Sequence, residues 1–144
     1  MKLTENFTME ELYASPTADR LGIDNTPSPL VRQNLRLLAE KILQPIRDEY
    51  RHAIIVNSGY RCQTLNKAVG GAKTSQHLTG CAADIRCSHT SRAYLFHLIL
   101  RMIHAGKIQV GQLIWEYGTA QEPNWIHVSL PSGTKHNQVL YLYK

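Results

Sequence analysis

The segment SQHLTGCAADIR, Ser75 to Arg86, constrains the fold more than any other part of the chain. It carries His77 and Asp84 seven positions apart, with Gly80 between them and small residues before the aspartate. If both side chains serve one metal ion, no single regular element can deliver them. On a straight helix, positions seven apart share a face but stand ~10 Å apart along the axis. Ligand atoms lie only ~2 Å from a metal such as zinc, and an extended strand separates the pair further. The chain must reverse between them, and Thr79-Gly80 is the natural place. Cys81, Ala82 and Ala83 then lead into a strand that presents Asp84 and leaves room beside an ion.

The flanking sequence reads as helices followed by strands. Residues 1–29 form an arm with one short helix, where Thr8 and Glu11 have capping-box spacing; the turn-rich SPTADRLGIDNTPSP follows. Ser28-Pro29 opens the clearest helix. Leu35, Leu38, Ile42 and Ile46 follow at helical spacing, and Pro45 is expected to kink it. Ile54–Asn57 reads as a buried strand ended by Ser58-Gly59, and Cys62–Val69 as a short helix closed by Gly70-Gly71. Strand Ala82–Cys87 and helix Ser91–Ala105 come next, then strands Val110–Tyr117, Trp125–Leu130 and Gln138–Tyr143. The order predicts an α+β fold with helices packed on a small antiparallel sheet. Residues 30–144 are expected to form a single domain, with the arm packed on it.

A catalytic metal site takes three protein ligands and keeps a position for water. PNWIHVSL offers the third. Trp125, His127 and Ser129 alternate with Ile126, Val128 and Leu130, so His127 points away from the apolar face. Such a site also needs a general base. Glu116 shares a face with Gln112 and Ile114, and a hairpin register pairing position 116 with 125 or 127 brings it beside His127. Glu122, in the connecting loop, competes with it; both have the plainer alternative of a solvated carboxylate. Arg61, just past a strand end, is placed to hold a carboxylate or an oxyanion, or else to make a surface ion pair. His52, His89, His97, His104 and His136 have no role in this reading.

The remaining composition narrows the partners. The longest apolar run falls well short of the ~20 residues that cross a bilayer, so no integral membrane contact is expected. The formal net charge of +5 favours polyanionic surroundings. Its basic residues are scattered, however, with no basic stripe interleaved with aromatics, and nucleic acid is not the expected partner. Cys62, Cys81 and Cys87, odd in number and without a C-x-x-C pair, argue for reduced thiols. MKLTENFTMEELYAS lacks the pattern of a secretory signal.

NSGYR, SQHLTGCAADI and NWIHVSL together resemble the zinc D-alanyl-D-alanine peptidases. These comprise the D,D-carboxypeptidases and L-alanyl-D-glutamate endopeptidases of bacterial peptidoglycan, whose fold recurs in the amino-terminal domain of hedgehog proteins. The pattern S-x-H-x-x-G-x-A-x-D, followed by W-x-H, is met at Ser75, His77, Gly80, Ala82, Asp84, Trp125 and His127. The resemblance runs from about Leu30 to Leu130, and the TAxxxGIDN-like stretch of the arm is similar to small phage and prophage members. It implies that His77, Asp84 and His127 bind one zinc, that Arg61 binds substrate or oxyanion, and that Ser75 and Trp125 line the substrate site. Many members carry their catalytic carboxylate three residues before the last histidine, where this chain has Asn124. An amide is no general base. The hedgehog-like branch places its glutamate at the end of the preceding strand, which matches Glu116, with Glu122 second.

The expected function is that of a monomeric zinc peptidase cleaving bonds next to D-amino acids in peptidoglycan stem peptides, as carboxypeptidase or endopeptidase. It would stay in the cytoplasm or reach the wall at phage lysis. The alternative is a zinc-stabilised module that binds cell wall or protein without turnover.

Overall fold

The computed structural model describes residues 1–133 and 135–143. A 3-10 turn, Glu10–Leu12, and helix α1, Pro16–Leu21, precede the long helical segment. That segment runs as α2, Pro29–Leu38, a π turn, Ala39–Leu43, and α3, Gln44–Tyr50. Strand β1, Ile55–Ser58, and α4, Gln63–Ala68, lead to a second 3-10 turn, Gln76–Thr79. Then come β2, Ala82–Arg86, α5, Arg92–His104, β3, Gln112–Glu116, β4, Trp125–Ser129, and β5, Gln138–Leu142.

Local chemistry sets the helix ends. The Val31 N–H donates to the Ser28 hydroxyl at 3.3 Å and Pro29 occupies the first turn of α2. In the arm, the Thr8 N–H donates to Glu11 Oε1 and the Glu11 N–H to Thr8 Oγ1, a reciprocal capping box. The disturbance expected at Pro45 takes the form of the π turn just upstream. Proline offers no N–H to the preceding turn, and a widened coil accommodates the missing bond.

The five strands lie in the order β1-β2-β4-β3-β5. The wholly antiparallel sheet expected from the sequence is in fact mixed, because β5 runs parallel to β3. β4 already has β2 on one side and β3 on the other. The strand that follows it has no free edge beside β4, so it reverses and pairs across the outer edge of β3.

One face of this sheet is apolar. Ala83, Ile85, Leu113, Trp115, Ile126 and Val128 join Leu35, Leu38, Ile42 and Ile46 of the long helical segment and Leu95 and Ile99 of α5 in a single core. Leu3, Phe7, Met9 and Leu12 of the arm belong to the same core. The opposite face of β2, β3 and β4 carries Asp84, Gln112, Glu116, His127 and Ser129 beside Ala82, Ile114 and Trp125. Among the described residues no helix is long and apolar enough to cross a membrane, and the three cysteines are free.

Candidate metal centre

Strand pairing brings the first two polar groups together. Asp84 on β2 stands opposite His127 on β4, so both side chains leave the same face of the sheet. His127 Nδ1 lies 3.1 Å from Asp84 Oδ1. His77 comes from the 3-10 turn. The Ser75 hydroxyl caps that turn by accepting the His77 N–H, and Gly80 ends it in the left-handed region at φ 77°. Gly80 meets two demands, since a Cβ there would stand 2.9 Å from Val31 Cγ1 and 3.0 Å from the Val31 carbonyl oxygen. The reversal sets His77 Nε2 3.2 Å from the same Asp84 oxygen.

The three groups are buried, and their ligating atoms lie within 4.8 Å of one another. Hydrogen bonding shows what they require. His77 Nδ1 donates to the Gly59 carbonyl at 2.7 Å; a carbonyl only accepts, so Nδ1 carries a proton. With Nδ1 as the donor to Gly59, it is Nε2 that faces Asp84, the ring nitrogen left to serve as a metal ligand in the neutral tautomer. His127 Nε2 is buried with no partner among the described residues, so no protein group prevents Nδ1 from offering its lone pair as well. Tetrahedral zinc with ligands at ~2.0–2.2 Å separates its donors by roughly 3.3 Å, close to the two observed spacings. Two imidazoles and a carboxylate, one imidazole steadied by a backbone carbonyl, fit a zinc ion. Burial alone would raise the pKa of Asp84. The adjoining imidazoles of His127 and His77 outweigh it and hold the carboxyl well below the usual range.

Arg61, Ser75, Glu116 and Trp125 line one cleft of about 400 Å³ together with His77, Asp84 and His127. Glu116 stands opposite Trp125 at the end of β3, a register that puts it on the face of His127. Burial, with Asp84 adding to it, raises its carboxyl pKa above the ordinary value; His127 and Arg61 act the other way. Burial lowers the pKa of the Arg61 guanidinium, while Asp84 and Glu116 oppose that shift. Trp125 packs edge-on against Tyr117 at a ring separation of 5.5 Å.

The structure does not bring Glu122 into this cleft. Its Oε1 accepts the Ala93 N–H at 2.8 Å, at the start of α5, and Arg92 lies nearby. Asn124 is also outside the cleft, where its N–H donates to the Glu116 carbonyl in the tight β3–β4 connection. Sequence reasoning missed the Gly59 carbonyl that orients His77, because a backbone group has no signature of its own. It also missed Tyr117, Gln112 and Lys135 on the cleft wall. Of these, Gln112 was legible from its alternation with Glu116.

A family model described as Peptidase M15 matches residues 5–129, a span that holds Arg61, Ser75, His77, Asp84, Glu116, Trp125 and His127. A search of curated proteins finds no match to the chain.

Proposed function

The chain belongs to the peptidase M15 family, whose members are zinc metallopeptidases, and from that premise we propose that it hydrolyses peptide bonds next to D-amino acids in bacterial peptidoglycan stem peptides. The observation that favours turnover over a zinc-stabilised binding module is the position of Glu116. A carboxylate kept partly out of water, in the cleft of His77, Asp84 and His127, is what a peptidase requires and a binding module does not.

In this proposal His77, Asp84 and His127 hold the zinc. When bound, the ion supplies Lewis acidity toward a carbonyl oxygen and makes water more acidic. Glu116 takes a proton from the attacking water as its oxygen bonds to the scissile carbon. It gives the proton to the departing amine nitrogen as the C–N bond breaks, so the products are a carboxylic acid and an amine, and the acid then loses its remaining proton to the amine or to solvent. Arg61 presents a charged, planar set of donors to the developing oxyanion or to a substrate carboxylate. Ser75 and Trp125 bound the peptide, and Ser75 also fixes the turn that delivers His77.

Incubating zinc-loaded protein with defined stem peptides, with products read by mass spectrometry, tests the proposal. Release of a terminal D-alanine identifies a carboxypeptidase, and cleavage after L-alanine an endopeptidase. Failure to cut any stem peptide, by protein shown to hold zinc, would overturn it.

A further inference from the structure

Among the described residues, no hydrogen bond or ion pair aims the Arg61 side chain. Its Nε is buried with no hydrogen-bond partner, and it makes no ion pair within 4 Å among the described residues. Its backbone, by contrast, is held on both sides by one residue of the arm. Asn25 is buried and does not line the cleft. Its Nδ2 donates to the Tyr60 carbonyl at 2.9 Å and to the Tyr13 carbonyl at 2.8 Å, while its Oδ1 accepts the Cys62 N–H at 2.7 Å. Two carbonyls demand the NH2 group and one N–H demands the oxygen, so the amide has a single orientation.

The turn it grips is also where the arm meets the metal centre. The Tyr60 N–H donates to the Leu12 carbonyl at 2.8 Å, and the Arg61 N–H to the His77 carbonyl at 3.0 Å. Gly59, whose carbonyl orients His77, has no room for a side chain. A Cβ there would lie 2.1 Å from the Leu12 carbonyl oxygen.

We infer that Asn25 is a positioning residue for Arg61: it clamps residues 60 and 62 to the arm and so fixes where the guanidinium enters the cleft. The inference rests on the role proposed for Arg61. Asparagine suits this task because its side chain spans an acceptor on one side of the arginine and a donor on the other. Aspartate has nearly the same shape and could serve Cys62, but it would set a carboxylate oxygen against two carbonyls.

The test is a double-mutant cycle on the zinc-loaded full chain with a cleaved stem peptide, joined to 15N NMR of the arginine Nε–H groups. Asn25→Ala should lose about 10- to 100-fold in kcat/KM, the scale of a small misplacement, through the same parameter, kcat or KM, that Arg61→Ala impairs. It should lose nothing further in the Arg61→Ala background. The Arg61 Nε–H resonance should shift or broaden. Those of Arg86 and Arg92, whose Nε groups donate to Asn57 at 2.8 Å and Pro123 at 2.6 Å, should stay in place. Asn25→Asp carries the same comparison if the alanine variant does not fold. An undiminished loss in the Arg61→Ala background, or an unmoved Arg61 resonance, overturns the inference and leaves the role of Arg61 standing. An Arg61→Ala enzyme as active as the parent overturns both.

Discussion

Asp84 and His127 are a directly opposed pair on neighbouring antiparallel strands, with His127 Nδ1 3.1 Å from Asp84 Oδ1. The backbone ladder fixes this pair, and the His77 turn closes on it from one side. The two candidate ligands on the strands are thus preorganised by the sheet, and the delivery of His77 depends on a left-handed glycine.

The first expectation concerns the metal. The purified protein should hold one zinc per chain, and His77→Ala, Asp84→Ala and His127→Ala should each lose it. Elemental analysis after dialysis measures this. Full retention in any of the three would remove that residue from the ligand set.

Gly80→Ala should damage both folding and metal binding. It forces a side chain into a φ of 77° and against Val31. The backbone conformation alone costs about 1–3 kcal/mol. Thermal denaturation should show a lower Tm, and zinc titration a weaker affinity because the His77 turn no longer closes. A variant with unchanged Tm and zinc affinity would show that the turn has another way to close.

Glu116→Gln should keep zinc and lose activity on the order of 100-fold or more, as removal of a general base does. Glu122→Gln should cleave at close to the parental rate, since its carboxylate serves the start of α5. Steady-state kinetics of the two variants decide between them. The reverse pattern would transfer the base to the loop.

The raised pKa of Glu116 also has a consequence for stability. In the metal-free protein the fold favours the protonated form. The stability that goes with it is present below the ordinary value of 4.5 and is lost as pH rises through the higher folded value. Glu116→Gln should therefore raise the Tm of metal-free protein at neutral pH, with the gain vanishing below about pH 4.5. Melting curves across that range check the sign. A lower Tm at neutral pH would mean that the ionised carboxylate is stabilised by the fold.

Arg61→Ala distinguishes two uses of a guanidinium. Loss of a ground-state clamp raises KM, and only for peptides with a free C-terminus. Loss of an oxyanion donor lowers kcat for every substrate, by roughly 100- to 1,000-fold. Arg61→Lys should be poor in either case, because a point charge does not replace the planar fork. Paired free and amidated stem peptides separate the outcomes, and unchanged kinetics on both would take Arg61 out of the site.

The sequence by itself determined what depends on neighbours in the chain. The caps at Ser28 and Thr8, the reversal at Gly80 and the alternation that aims His127 off the core are set by backbone dihedrals and hydrogen bonds spanning only a few residues. The mutual approach of His77 and Asp84 is therefore legible in twelve letters. Tertiary structure decided what depends on register and on which edge is free. Glu116 and Glu122 are six residues apart and chemically alike. What separates them is the pairing of Glu116 with Trp125 and the capture of Glu122 at the start of α5. The parallel placement of β5 follows from β4 having both edges taken, a property of the assembled sheet. The clamp of Asn25 on the Arg61 turn joins positions more than thirty residues apart through backbone groups that every residue carries. Only folding tells those groups from the rest.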